Sequence, residues 1–362
     1  MSRDRVRRPF LYMVVIALLL AACGDDGEEP VATTAAPVET TAAPVETTAA
    51  PVETTAAPVE TMELSLALSS PHVWIQPVIA HCEGYYEQVG LDVELVRFAT
   101  GRAATDALIG GQTDLATTAI SPAIFAAFQG QPIAILGENA RSPGEKVTAR
   151  AESGISTPAD LEGKKIGVTL GTDVHFFLSE FLTYHGMAVD DVEIVNLRPP
   201  DMVIALVRGD IDAFASFAPQ HAAALEELGD GAVVLRQPDP PIHQSLFLLI
   251  GMQDLVAENP EAYRRFMEAM VLADEFAAAD RDGATECVAE ISEIDVETAA
   301  GLMEVYSWKV WLDQSLIDES VIRADWQLTN DLAPEGADMP DFRSFIIEGP
   351  LEQVAPDRVS LP

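Results

Sequence analysis

From residue 62 onward, the spacing of apolar positions keeps switching between two periods. Residues 63–68 (Glu-Leu-Ser-Leu-Ala-Leu) alternate polar and apolar, the two-residue period of a strand. Residues 74–89 then read as a helix carrying Trp74, Ile75, Val78, Ile79, Tyr85 and Tyr86, until Gly90 stops it. Residues 91–98 return to strand. Residues 99–103 open another helix, which Gly110 and Gly111 end. Residues 113–118 form a third strand, and Ser121-Pro122 starts the next helix with a cap residue and a first-turn proline. Residues 133–136 are a fourth strand. Strands alternating with helices imply parallel βαβ units, helices on both faces, and ligand clefts beyond the carboxyl ends of the strands.

The alternation restarts after Ser156-Thr-Pro-Ala-Asp160. Strands are predicted over 164–169, 192–197, 211–217 and 232–235, with helices over 174–185 and 201–208 and another from Pro219. Residues 243–252 form a long apolar strand that leaves this block, and three helices follow over 259–290, 296–313 and 317–332. The fold class predicted is α/β with two lobes, each a mostly parallel sheet flanked by helices. The first lobe takes residues 62–148 plus 243–362, including the C-terminal helices, and the second takes 149–242. Two strand crossings, near 147–150 and 238–245, would form a hinge.

The pattern before residue 62 is different. Arg3, Arg5, Arg7 and Arg8 precede an uncharged apolar run from 10 to 22, too short for a comfortable membrane span of roughly 20 residues and laid out as a secretory signal. Leu20-Ala21-Ala22-Cys23 is similar to a lipobox, in which residues 1–22 are removed and Cys23 is diacylated. The alternative is an uncleaved anchor helix with an incidental cysteine. Both place the remainder outside the cytoplasm, tied to the cell membrane. Residues 33–60 are four copies of Thr-Thr-Ala-Ala-Pro-Val-Glu. A proline in every repeat removes a donor and costs about 3 kcal/mol in a helix interior, which excludes a coiled coil. Residues 23–61 therefore read as a disordered, polyproline-like tether whose Thr-Thr pairs could carry glycans.

Charge narrows the partners. Lys+Arg is 21 against Asp+Glu 58, a net −37 with only four lysines, and losing the four arginines and one aspartate of residues 1–22 takes it to −40. Such a surface repels phosphate backbones, so nucleic acid is excluded as a partner. It tilts weakly towards neutral, zwitterionic or cationic solutes. The three cysteines exclude a disulfide scaffold, although Cys82 and Cys287 could pair or stay as free thiols. The six histidines include no His-Glu-x-x-His, and there is no Cys-x-x-Cys, no Gly-x-Ser-x-Gly elbow and no phosphate loop. No metal or cofactor is therefore predicted, and the chain is not itself an ATPase.

Four segments carry a resemblance. Residues 84–96 (Gly-Tyr-Tyr-Glu-Gln-Val-Gly-Leu-Asp-Val-Glu-Leu-Val), 111–116 (Gly-Gln-Thr-Asp-Leu-Ala), 153–168 and 209–214 (Gly-Asp-Ile-Asp-Ala-Phe) resemble, in order and spacing, the solute-binding proteins of the sulfonate/nitrate/taurine and thiamine-pyrimidine-precursor group. The resemblance implies the type II periplasmic-binding fold: a two-lobed clamp, monomeric and not an enzyme, that delivers a small solute to an ABC permease and its ATPase. Two other functions stay open: a sensory module presenting solute to a receptor, and a lipid-anchored hydrolase or desulfinase with a cysteine nucleophile.

Residues at strand ends facing the cleft are the candidate ligand contacts. From the first lobe these are Ser70, His72 and Trp74, then Thr100, Gly101 and Arg102, then Thr117, Thr118 and Ser121. From the second they are Gly171, Thr172, Asp173, His175 and Phe176, then Ser216 and Phe217. In relatives the stretch matching 171–177 often reads Gly-Ser-Thr-Ala-His-Tyr-Phe and opens a helix whose free N–H groups would hold an oxyanion. Asp173 departs from that pattern. It either accepts bonds from a ligand amine or caps its helix. Arg102 is a candidate for an anionic group and Glu138 for a cationic one, while Trp74 and Phe217 could sandwich a planar ligand.

Overall fold

A computed structural model describes residues 60–361 of the chain; the signal-like segment, Cys23 and all but the last two residues of the tether lie outside the described residues. Strand β1 (Met62–Ser69) begins with alternating burial and ends fully buried. A 3₁₀ turn over Pro71–Val73 leads into α1 (Ile75–Cys82) and α2 (Tyr85–Gln88). The single helix expected over 74–89 is thus broken, because Gly84 takes φ +70, a left-handed conformation that stops α1 and restarts the chain as α2. Next come β2 (Leu91–Phe98), α3 (Gly101–Ile109), β3 (Leu115–Ala119), α4 (Ile120–Phe128) and β4 (Ile133–Ser142). The chain continues through β5 (Lys146–Arg150), β6 (Lys165–Val168), α5 (Asp173–Tyr184), β7 (Glu193–Asn196), α6 (Pro199–Arg208), β8 (Ala213–Ser216), α7 (Ala218–Leu228) and β9 (Ala232–Leu235).

Strand β10 (Ser245–Met252) is followed by α8 (Gln253–Glu258), α9 (Pro260–Ala279) and α10 (Arg281–Ser292) in place of one helix over 259–290. The break between α9 and α10 is made by Asp280, which accepts from the Gly283 N–H at 2.9 Å. The helix expected over 296–313 also fails. Helix α11 (Val296–Met303) ends early, and Ser307–Asp313 is strand β11. Its sequence explains the difference: Trp308, Val310 and Leu312 alternate with Ser307, Lys309 and Trp311, and Val310 and Leu312 are wholly buried. Helix α12 (Gln314–Thr329), α13 (Gly349–Glu352) and β12 (Val359–Ser360) complete the chain.

The strands form two sheets. The first runs β12-β11-β4-β10-β3-β1-β2 and the second β7-β6-β8-β5-β9. The α/β class holds, and both sheets are mixed rather than mostly parallel. In the first, β1 is parallel to β2 and β3, whereas β10 runs antiparallel to both β3 and β4, and β4 antiparallel to β11. In the second, β6 is parallel to β7 and β8, and β5 antiparallel to β8 and β9. The strands running against their neighbours, β4, β5 and β10, flank the two places where the chain changes sheet, at residues 143–145 and 236–244. Gln237 ties those crossings together: its amide donates to the Pro143 carbonyl at 3.1 Å and its carbonyl oxygen accepts from the His243 N–H at 2.9 Å.

Each sheet has its own apolar core. Leu66, Leu68, Ile75, Ile79, Tyr263 and Phe266 are fully buried around the first. Phe177, Phe181 and Leu182 fill one face of the second, and Met202, Leu206 and Phe214 the other. Cys82 and Cys287 form a disulfide between α1 and α10, resolving the pairing that spacing leaves open.

Candidate functional site

A cavity lies between the two sheets. It collects the carboxyl ends of strands, Ser69 of β1, Ala119 of β3 and Ser216 of β8, as an α/β architecture requires. The helices that follow begin there as well. Thr100 and Gly101 open α3, Ala119 precedes α4, Thr172 and Asp173 open α5, Pro199 opens α6 and Phe217 precedes α7. Five helices thus turn their positive dipole ends towards one space, although their first-turn donors are partly spent: α6 opens on Pro199 and Pro200, which have no N–H, and in α3 the Ala103 N–H donates to Thr100 Oγ1 at 3.1 Å. Gly101 lets two of these elements meet: a Cβ there would stand 3.0 Å from the Thr118 Cα. Ser70, at the mouth of β1, holds a left-handed backbone, φ 44.

Aromatic rings make one wall. Trp74 meets Phe247 edge-on with centroids 5.5 Å apart, and Phe247 meets Tyr306 at 5.6 Å. Phe217 and Met202 contribute from the second sheet's side.

Three charged side chains line the cavity: Arg102, Glu145 and Asp173. Asp173 is 2% exposed, and its Oδ1 accepts from Ser121 Oγ at 2.7 Å and from Arg323 Nε at 2.9 Å. His243 Nε2 lies 3.4 Å from its Oδ2. Burial alone would raise this carboxyl, but Arg323 and His243 hold it well below the usual carboxylate range. Burial would likewise lower His243, and its bonds to Asp173 and to Glu180, the latter at 2.9 Å, hold it up to about 9. Arg323 comes from α12, donates also to the Gln244 carbonyl at 2.7 Å, and stacks over Phe176 at 4.8 Å. Three residues on, Trp326 donates from Nε1 to Ser179 Oγ of α5 at 2.9 Å. Helix α12 thereby fastens α5 of the second sheet to the first. Asp173 is not the cap of its helix; its charge is matched by Arg323 and His243, while its buried Oδ2 has no hydrogen bond of its own.

Of the sixteen candidate contacts, Ser70, Trp74, Thr100, Gly101, Arg102, Thr172, Asp173, Ser216 and Phe217 line the cavity. Seven do not. Thr117 and Thr118 serve neighbouring backbone, Thr117 by accepting from the Ser69 N–H at 2.9 Å and donating to the Ala67 carbonyl, Thr118 by donating to the Gly101 carbonyl. Ser121 is spent on Asp173. His175 and Phe176 sit two and three residues beyond Asp173, a rotation of about 200–300° around α5, and pack against Trp326 instead. His72 is buried beside the site, and burial pushes its imidazole down to about 4. Gly171 takes φ +71 and lies against Arg102, whose Nη1 is 2.8 Å from where a Cβ would be. Arg102 itself pairs with Asp106 at 3.3 Å and lies over Phe125. Glu138 is away from the cavity, accepting from Arg141 at 2.8 Å. Cys82, the one candidate thiol for nucleophilic chemistry, is held in the disulfide.

Glu145, Ser245, Phe247 and Tyr306 line the cavity and escaped sequence reading. Glu145 follows Pro143-Gly144 in the first crossing, where the turn signal was legible but its destination was not. Tyr306 precedes the strand misread as helix.

The NMT1/THI5-like family model matches residues 74–284, more than half of the chain. A binding protein of Brucella abortus (strain 2308) is 29% identical over 223 residues, 60% of this chain and 67% of its own. The taurine-binding periplasmic protein of Escherichia coli (strain K12) is 29% identical over 187 residues, 52% of this chain and 58% of its own. An enzyme, the 4-amino-5-hydroxymethyl-2-methylpyrimidine phosphate synthase of Aspergillus parasiticus, is 26% identical over 220 residues, 58% of this chain and 64% of its own. Among solved structures, the alkanesulfonate-binding protein SsuA of Xanthomonas axonopodis pv. citri, bound to MOPS, superposes with a TM-score of 0.68 at 21% identity, covering 80% of this chain and 99% of that one.

Proposed function

Because the chain belongs to the NMT1/THI5-like family, we propose that it is an extracytoplasmic solute-binding protein which captures one small polar solute, of the sulfonate, nitrate, taurine or pyrimidine type, in the cavity between its two sheets and releases it unaltered to an ABC permease and its ATPase. The observation that carries this reading is the convergence of strand ends and five helix N-termini, from both sheets, on one cavity. A solute touching both sides would favour the state in which they approach, through its higher affinity for that state. The crossings at 143–145 and 236–244 would serve as the hinge between a lobe of 62–142 plus 245–361 and a lobe of 146–235; the first expected boundary, at 148, falls inside β5, which belongs to the second sheet. Ser70, Trp74, Thr100, Gly101, Arg102, Thr172, Ser216 and Phe217 would contact the solute.

Cys23, outside the described residues, would carry the lipid that keeps the protein at the membrane. An enzymatic reading has a synthase among the chain's relatives in its favour. Against a cysteine nucleophile, no cysteine is among the described residues lining the cavity, and Cys82 and Cys287 are bonded to each other.

The test is thermal unfolding against a panel of sulfonates, nitrate, taurine and pyrimidines. Each tenfold rise in a bound solute above its Kd adds about 1.4 kcal/mol of stability. A panel without any shift would defeat these solute classes. Separately, Cys23→Ser should release the protein to the medium; membrane retention of that variant would defeat the lipid anchor.

A further inference from the structure

Of the three charged side chains lining the cavity, two are matched by the protein itself: Arg102 by Asp106, and Asp173 by Arg323 and His243. Glu145 is not. It is 2% exposed, and its Oε2 is buried without any hydrogen-bond partner. Two cations act on it without a salt bridge to it: Lys146, the next residue along, and His243, which already divides its charge between Glu180 at 2.9 Å and Asp173 at 3.4 Å. Burial pushes the Glu145 carboxyl up, against the opposing pull of His243 and Ser245. A buried carboxylate with a vacant acceptor lowers stability unless something returns the lost hydration.

Its position is imposed by the backbone. Glu145 ends the Pro143-Gly144-Glu145 crossing, where the Gly144 N–H donates to Ser142 Oγ at 2.9 Å. A Cβ on Gly144 would stand 2.8 Å from both Ser142 Oγ and Val305 Cγ1, so the turn packs too closely for any side chain. The adjoining wall suits positive charge. Tyr306 lines the same cavity as Glu145, and its phenol is raised well above its ordinary value, by burial first and by the Glu145 charge second. Tyr306, Phe247 and Trp74 form a continuous run of rings, and ring faces attract cations. The net −37 of the chain raises the local concentration of cations around the mouth.

We infer that the solute bears an ammonium nitrogen, seated between the Glu145 carboxylate and the Trp74–Phe247–Tyr306 wall. The inference rests on the solute-binding reading of the same cavity and narrows it. Taurine-like zwitterions, amines and quaternary ammonium compounds fit; nitrate and simple alkanesulfonates leave Glu145 buried and unpaired.

The test is titration calorimetry of the full chain with three matched pairs: taurine and isethionate, choline and 3,3-dimethyl-1-butanol, putrescine and 1,4-butanediol. In at least one pair the ammonium-bearing member should bind tenfold or more tightly than the partner that lacks the nitrogen, and that preference should vanish in Glu145→Gln and persist in part in Glu145→Asp. Ligand-free Glu145→Gln should melt at or above the wild-type temperature, because the amide removes a buried unpaired charge. Binding of isethionate or nitrate without preference for any cation would overturn the inference while leaving solute binding intact. Failure of all six compounds overturns it too, and if a heat extract of the purified protein also holds no small molecule, solute binding falls with it. A lower melting temperature for Glu145→Gln would show that Glu145 has a structural partner, and would equally overturn the inference.

Discussion

Arg323→Met should be among the most damaging single substitutions in the chain. Arg323 is 1% exposed and Asp173 2%, so neither charge has water to fall back on. At 2.9 Å, with an effective dielectric constant near 20, their attraction is about 6 kcal/mol. Desolvation consumes much of that in the intact protein. Removing one partner leaves the desolvation penalty on Asp173 in place, and breaking a buried pair this way costs about 3–5 kcal/mol. The bond to the Gln244 carbonyl and the stacking over Phe176 are lost as well. Asp173→Asn combined with Arg323→Met removes both charges and should recover at least about 2 kcal/mol relative to the sum of the two single changes. Urea unfolding with linear extrapolation measures all three variants. A cost below about 1 kcal/mol for Arg323→Met, or strict additivity in the double variant, would refute the claim that α12 fastens the second sheet through this pair.

Stability should fall with rising pH in a defined window. His243 is held up to about 9 against an ordinary unfolded value near 6.5, so its contribution is complete below about pH 6.5 and is lost as pH climbs through about 9. Urea midpoints across that range should decline, and His243→Gln should flatten the decline; a level wild-type profile would contradict the assignment. Cys287→Ser opens a bond between residues 205 apart in sequence and should cost about 2–4 kcal/mol, as should reduction of the wild type. Equal melting temperatures with and without reductant would count against it. Gly101→Val should lower stability by about 1–3 kcal/mol and weaken solute binding, since its Cβ would press on the Thr118 backbone. Unchanged binding and stability would show that the approach of α3 to β3 is looser than described.

Much of the fold was legible because each βα unit carries its own period and its own stop. Residues 91–98, 133–136 and 243–252 contain or lie within the observed strands, or overlap them closely, since their apolar runs are bounded by turn residues. The strand Ser307–Asp313 was lost because the helical period of α11 runs into Val305-Tyr306 without a glycine or proline to mark the change. Position 173 stood out as a departure, but its meaning depends on Arg323, 150 residues away, and no local pattern links them. Glu145 is harder still. Its surroundings, Ser245 at the start of one distant strand and Tyr306 just before another, are far off in sequence, and the turn that delivers it looks like any Pro-Gly surface loop. Candidates at the helix starts, such as Gly101 and Asp173, line the cavity, whereas Thr117 and Thr118 of β3 bond neighbouring backbone and His175 and Phe176, two and three residues beyond Asp173, rotate away into packing.

The central claim is that the space between the two sheets holds one small solute and returns it unchanged. Thr172 lines that space and is half-buried, so Thr172→Trp would take up space there. The decisive measurement is calorimetric titration of wild type and Thr172→Trp with the small molecule extracted by heat from the purified full chain and identified by mass spectrometry. The account predicts one molecule bound per wild-type chain, recovered with its mass unaltered, and affinity at least tenfold lower in the filled variant, a loss of about 1.4 kcal/mol or more. Equal affinity in both proteins, or recovery of a chemically changed compound, would contradict it.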